Sequence, residues 1–130
     1  MKCSCAPAWF AAAILLCCAA RAAPPPEAKT EIDHLLSTVG GSNCRFYRNG
    51  SWYDDKSAAA HLTSKLQYLL AKDLVQSAED FIEKGGSQSS TSGRAYAVQC
   101  KGSAPLPSGR WLRILLARYR GSLETPSAAQ

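Results

Sequence analysis

The chain has 130 residues and a mass of 13.9 kDa, which suits one ordinary domain and excludes a large multidomain enzyme. Hydrophobic residues make up 46% of it and charged residues 19%, which excludes both a disordered chain and a polytopic membrane protein. The formal net charge is +5.

Residues 1–22 have the pattern of a secretory signal peptide. Lys2 supplies a positive start, residues 8–20 form an uncharged apolar run, and small residues end the run at Ala22. This run has 13 residues, whereas a membrane-spanning helix needs about 20. Because Leu16 and not a small residue precedes Cys17, lipoprotein processing is not expected. We predict cleavage after Ala22, export to the periplasm and no transmembrane segment in the mature chain.

Cleavage changes both the net charge and the number of cysteines. Loss of Lys2 and Arg21 lowers the basic residues from 15 to 13 against 10 acidic ones, so the net charge becomes +3. That surplus is too small to indicate a nucleic-acid binder. Only Cys44 and Cys100 remain, and two thiols in an oxidising compartment predict one disulfide. A zinc site is the alternative, although the spacing of its possible ligands is not that of a zinc motif. Those ligands are Cys44, Cys100, His34 and His61.

The first half of the mature chain predicts a helix and a hairpin. Residues 23–29 contain three consecutive prolines, at positions 24–26, and are expected to be extended. Thr30 and Asp33 resemble a capping box, and the apolar residues that follow recur with the period of an amphipathic helix that stops at Gly40. Asn49 and Gly50 then join two short aromatic runs and favour a type I′ turn. The apolar positions of the helix are Ile32, Leu35, Leu36 and Val39.

The second half predicts two helices, a loop, a strand and a last helix. Asp54 or Asp55 offers the N-cap of a helix that runs to about Ala71, and Ser77 opens a short helix that Gly85 and Gly86 close. The polar segment 87–93 is predicted to be a loop, and residues 94–100 alternate like a strand. Ser108 caps a final helix to about Arg120, and residues 121–130 are expected to be disordered.

This order of elements contains no long βαβ unit. It therefore favours an α+β domain over residues 30–120, with a small antiparallel sheet made of the hairpin and one further strand, packed against about four helices. The predicted disulfide would join the start of the first strand to the end of the third.

Six spaced motifs resemble the YfeK-like family of small exported bacterial proteins of unknown function. The resemblance covers about residues 30–118 and implies bacterial export and a shared single domain, but no activity. The motifs lie at Glu31 to Leu36, Cys44 to Gly50, His61 to Lys65, Ala78 to Ile82, Ser90 to Val98 and Pro107 to Leu112.

Three groups of residues are candidates for a functional site, and each also has a purely structural interpretation. His61 shares a helical face with Lys65 beside small residues, where it could contact a ligand or fill a polar gap next to the core. The loop that contains Ser90 and Ser92, followed by Arg94, could hold a phosphate, carboxylate or sugar, or could simply form turns. A basic face of the last helix could meet anionic lipid or an acidic partner, or be merely solvated. That face comprises Arg110, Arg113 and Arg120.

No arrangement of residues predicts a reaction. We identify no catalytic residue, metal ligand or cofactor site, because the residues near the two histidines do not form the fixed carboxylate and nucleophile set that a hydrolytic triad requires. The favoured hypothesis is a non-enzymatic exported module that binds an envelope component or a small anionic ligand. The alternatives are a small enzyme that uses His61 with the loop 87–93, and a purely structural envelope protein.

Overall fold

The computed structural model describes residues 23–124. The predicted signal peptide 1–22 and residues 125–130 of the predicted tail lie outside this range. Four helices and a four-stranded antiparallel sheet confirm the α+β class. The elements in chain order are α1 Pro26–Gly40, β1 Arg45–Arg48, β2 Ser51–Tyr53, α2 Asp55–Ala71, α3 Ala78–Phe81, a π-helical turn Ile82–Gly86, β3 Ala97–Gln99, β4 Leu106–Pro107 and α4 Ser108–Glu124.

The sheet has the strand order β2-β1-β3-β4. The predicted hairpin is confirmed: Asn49 and Gly50 have φ values of 47° and 91°, and β1 pairs with β2 so that Tyr47 faces Trp52. β1 also pairs with β3, with Phe46 opposite Val98. The fourth strand, Leu106–Pro107, was not predicted, and it pairs with β3 over only two residues.

A single hydrophobic core lies between the helices and one face of the sheet. The predicted apolar stripes of α1, α2 and α4 all point into it, as their periodicity requires. Its centre is fully buried, and each such side chain contributes about 1.5–3 kcal/mol through removal of apolar surface from water. The largest fully buried side chains are Phe81, Ile32, Leu35, Ile82, Leu112, Val39, Val75 and Val98.

The start of α1 differs from the prediction. The helix begins at Pro26, so residues 26–29 are helical and not extended. Thr30 is no cap, because its hydroxyl donates to the carbonyl oxygen of Pro26 (3.0 Å), and Asp33 accepts from Lys29 Nζ (2.6 Å). A proline in the first helical turn already has a helical φ and lacks an N–H that would have no acceptor there, which is why the proline run starts the helix.

The chain around Gly85 and Gly86 ends in a form that was not predicted. The Ser77 and Asp54 caps are confirmed, and the helical segment that begins at Ala78 ends at Gly86 as expected, but its last turn is π-helical. They lie in the π-helical turn and are buried. A Cβ at Gly85 would be 3.0 Å from the Phe81 ring, and one at Gly86 would be 2.5 Å from Leu112 Cδ1. The glycines therefore lie at the end of the helical segment and also allow close packing there.

The last helix is longer than predicted. It continues through Gly121 to Glu124, so part of the predicted tail is helical. Its first residue, Ser108, is buried, and the Ser108 hydroxyl has no hydrogen-bond partner among the residues that the structure describes. The predicted capping role of this serine is therefore wrong. Among residues 23–124, none of the helices combines the length and apolar character that crossing a membrane requires.

The predicted disulfide joins Cys44 to Cys100, 56 residues apart. It extends the β1–β3 pairing, because the neighbouring pair is Arg45 opposite Gln99. The alternative zinc site is not assembled, since the two sulfurs are bonded to each other and the two histidines lie in different surroundings. In the described part of the chain, no three His, Cys, Asp or Glu side chains gather in a group that could hold a metal ion.

Candidate binding pocket

A pocket of about 200 Å³ opens between the inner face of the hairpin, the first half of α2 and the start of α4. We call it the Arg48 pocket. Part of its wall is apolar and part carries polar groups, which is the usual composition of a small-molecule site. The apolar side chains are Val39, Phe46, Ala58, Leu62 and Leu112, and the polar ones are Arg48, Tyr53, Ser57, His61, Tyr96 and Ser108.

The hairpin brings Arg48 to the pocket. Alternate residues of a strand face the same side, so Arg48 shares the inner face of β1 with the buried Phe46. The type I′ turn returns the chain so that Tyr53 pairs with Phe46. The Arg48 guanidinium carbon then lies 4.6 Å from the centroid of the Tyr53 ring. A strand position that normally faces the core therefore holds a cation at the edge of a cavity.

Helix α2 and the residue before strand β3 supply the side chains that continue from Arg48. Arg48 Nη1 lies 2.5 Å from His61 Nδ1, His61 Nε2 lies 3.2 Å from the Tyr96 hydroxyl, and Lys65 Nζ lies 3.1 Å from the same hydroxyl. Lys65 Nζ also donates to the carbonyl oxygen of Gln88 (2.8 Å). The four side chains form a continuous hydrogen-bonded row, which we call the basic row.

The chemistry of these groups determines which of them donate. Arginine has no acceptor, so His61 Nδ1 must accept from Arg48 and the proton of the neutral imidazole must be on Nε2. His61 Nε2–H and Lys65 Nζ–H then both donate to the Tyr96 oxygen. Neither contact uses the hydrogen of the Tyr96 hydroxyl. That O–H therefore remains able to donate, as does the rest of the Arg48 guanidinium.

Electrostatics maintain these protonation states at neutral pH. Burial, followed by the positive charges of Arg48 and Lys65, lowers the pKa of His61, so the imidazole is neutral. Burial, with a smaller contribution from Arg48, lowers the pKa of Lys65 to about 8. Burial raises the pKa of Tyr96, although Arg48 opposes this rise, so the phenol keeps its proton.

Acidic groups do not neutralise the Arg48 pocket. No acidic residue contributes to its lining among the described residues. Within residues 23–124, none of the ion pairs includes Arg48. A half-buried guanidinium without a carboxylate partner favours an anion at this position. The pocket can therefore hold a small anion through Arg48 and the Tyr96 hydroxyl while its apolar wall contacts the rest of the ligand.

The structure brings only part of the predicted site together. His61 and Lys65 meet in the basic row, but Ser90, Ser92 and Arg94 are exposed and lie outside the Arg48 pocket. Ser90 lines a separate surface depression. Ser92 Oγ donates to Asn49 Oδ1 (2.7 Å), and the backbone N–H of Arg94 donates to Ser92 Oγ (3.3 Å).

The loop 87–93 fastens onto the hairpin tip. Its buried residue is Ser89, whose Oγ accepts from Asn49 Nδ2 (3.1 Å) and from two backbone N–H groups of its own loop. The Asn49 side chain therefore joins the hairpin tip to the loop through Ser89 and Ser92, and we call these two contacts the Asn49 clamp. The contacts favour the structural interpretation of the loop. They also give the Asn49 side chain a structural role in addition to the positive φ angle that the turn requires.

One of the three arginines of the predicted basic face of α4 is engaged in ion pairs within the fold. Arg120 forms ion pairs with Glu31 of α1 (2.7 Å) and with Glu79 of α3. These ion pairs neutralise the charge of Arg120 within the fold and link α4 to α1 and α3. This arrangement does not agree with a role of Arg120 in binding anionic lipid or an acidic partner. Arg110 and Arg113 are exposed, as that hypothesis requires.

Sequence reasoning missed three important lining residues, Arg48, Tyr96 and Ser108. One signal for Arg48 was available, because an arginine at an inward position of a strand, two residues after Phe46, is unusual. Tyr96 joins the site only through the β1–β3 pairing. The second histidine, His34, stacks on Tyr119 with ring centroids 4.0 Å apart, which supports its structural interpretation.

The fold and the pocket describe a class of protein: an α+β domain with one disulfide and a small pocket that carries a basic residue, Arg48, in its lining. The family of unknown function DUF5329 matches residues 26–120, and the chain belongs to that family. Searches of curated proteins and of solved structures find no significant match.

Proposed function

We propose that this protein is an exported, non-enzymatic binding module of the bacterial cell envelope, of the YfeK-like type, that holds a small anionic ligand in the Arg48 pocket. The observation that carries the proposal is the half-buried Arg48 guanidinium, which lies at a partly apolar cavity and has no carboxylate partner among residues 23–124. Family membership supplies no activity, so the proposal rests on the geometry of the pocket.

The placement of possible catalytic groups supports binding over chemistry. An enzyme based on His61 and the serine loop needs those hydroxyls in the same cavity, yet Ser90 and Ser92 lie elsewhere. Glu79, a possible carboxylate partner, pairs with Arg120 on another side of the fold. A purely structural protein would need no cavity lined by an unpaired cation, so the pocket also counts against that alternative.

Removal of the Arg48 charge is expected to weaken anion binding. Arg48→Gln should raise the Kd for benzoate at least about 10-fold, because a hydrogen bond to a charged group contributes about 1.5–3 kcal/mol. Isothermal titration calorimetry at neutral pH measures the change. The matched control is Arg45→Gln, which is on the same strand but faces outward beside Trp52, 5.0 Å from its ring centroid. Equal affinity of wild type and Arg48→Gln would contradict the proposal.

Export is proposed from the leader pattern of residues 1–22 and is consistent with the disulfide. We expect the periplasmic fraction of a bacterial host to contain a chain that begins at Ala23, with Cys44 and Cys100 both oxidised. Intact mass with and without reductant measures both properties. A periplasmic product that still carries Met1 to Ala20, or a protein confined to the cytoplasm, would contradict this expectation.

A further inference from the structure

The Ser108 hydroxyl is an unexplained polar group in the Arg48 pocket. Ser108 is 4% exposed, lines the cavity, and its Oγ has no hydrogen-bond partner in the described protein. A buried hydroxyl that makes no hydrogen bond loses its contacts with water without replacement, which destabilises the folded protein. An alanine would avoid that cost at a position where the serine does not cap the helix. The hydroxyl therefore keeps an unused donor and acceptor in a residue that lines the pocket.

Ser108 lies beside the backbone of Tyr96, whereas the basic row meets the hydroxyl end of that side chain. Its backbone N–H donates to the backbone oxygen of Tyr96 (3.0 Å), whereas His61 and Lys65 contact the hydroxyl of the same tyrosine. The two polar regions are therefore separated by roughly the length of a tyrosine side chain. The apolar side chains of Phe46, Leu62 and Leu112 also line this pocket.

The positive end of α4 strengthens the preference for an oxygen atom at Ser108. The helix begins at this residue, and the first turn of a helix carries N–H groups without intrahelical acceptors and a partial positive charge. An oxygen atom of the ligand would accept from the serine O–H and lie in this favourable field.

The volume of the pocket limits the size of the ligand. An apolar cavity of about 150 Å³ is large enough for benzene, and the Arg48 pocket has about 200 Å³. One ring with two small substituents therefore fits. The rings of Phe46, Tyr53 and Tyr96 in the lining suit an aromatic ligand.

We infer that the ligand of the Arg48 pocket is a small aromatic monocarboxylate with a hydroxyl group at the end remote from the carboxylate. The carboxylate accepts from Arg48 and the Tyr96 hydroxyl, the ring lies along the apolar wall, and the remote hydroxyl meets Ser108 Oγ. This inference rests on the proposed function and adds the chemical class of the ligand.

The experiment compares three probes with the full chain: 4-hydroxybenzoate, benzoate and 4-hydroxybenzyl alcohol. Calorimetric titrations of wild type should give about fivefold tighter binding of 4-hydroxybenzoate than of benzoate, as a neutral hydrogen bond provides. The alcohol, which lacks the carboxylate, should bind at least about 10-fold more weakly than 4-hydroxybenzoate, because it loses the charge-assisted contact to Arg48. In Ser108→Ala the two acids should bind equally.

The outcomes separate the inference from the proposed function. If wild type binds the two acids equally and Arg48→Gln weakens both, the inference is overturned and the anion-binding function stands. If neither acid binds, or if binding does not depend on Arg48, both fail. The comparison of the two acids in wild type needs no variant, so the inference stays testable even if Ser108→Ala were poorly folded.

Discussion

Replacement of Cys44 and Cys100 together by alanine is expected to lower the free energy of unfolding by about 4 kcal/mol. The bond closes a loop of 56 residues, and the loss of loop-closure entropy in the unfolded chain predicts about that value. Small domains have only about 5–15 kcal/mol of stability in total, so much of the margin should disappear. Urea unfolding of wild type and the double variant, followed by tryptophan fluorescence, measures the change.

The control for this experiment is the reductant. It should shift the urea midpoint of wild type to lower concentration and leave the midpoint of the double variant unchanged. Equal unfolding free energies for wild type and double variant, without reductant, would show that the bond contributes little to the stability of the domain.

The substitution Gly109→Ala is expected to destabilise the protein by about 1–3 kcal/mol, the usual cost of overpacking a well-packed site. A Cβ at position 109 would overlap Ser87 Oγ. The Ser87 side chain cannot easily move away, because it donates to the carbonyl oxygen of Ile82 (2.7 Å). The start of α4 or the π-helical turn must therefore shift.

Gly121→Ala on the same helix is the matched control for Gly109→Ala. A Cβ at Gly121 would meet no atom within 4 Å, so the usual helical advantage of alanine over glycine, about 0.5–1 kcal/mol, should increase stability. Urea unfolding of both variants should thus give changes of opposite sign. A Gly109→Ala variant that is as stable as Gly121→Ala would show that the packing of α4 against Ser87 is loose.

Local sequence patterns predicted most of the fold because most of its elements are local. Helix periodicity, the Asn49-Gly50 turn and the Ser77 cap depend on residues within a few positions of each other. The errors come from tertiary packing. Gly85 and Gly86 were expected to end a helix, and they do, but the π-helical turn and its close packing against Phe81 and Leu112 were not predicted.

The candidate site was less predictable than the fold. His61 and Lys65 were recognised because basic residues on a helix of small side chains are conspicuous in sequence. Their meeting with Arg48 and Tyr96 depends on strand pairing and on packing between residues 13 to 48 positions apart in the chain. The unpartnered hydroxyl of Ser108 could not be inferred at all, because serine before a helix normally indicates a cap.

Strand β1 is fastened at both ends, by the Cys44 bond at one and by the Asn49 clamp at the other. Arg48 lies immediately before the clamp and is therefore preorganised, so the strand would lose little conformational freedom on binding the proposed anion. A ligand would enter a site that already has its bound shape. Association should then approach the rate of diffusional encounter, and differences in affinity among ligands should arise from their rates of dissociation.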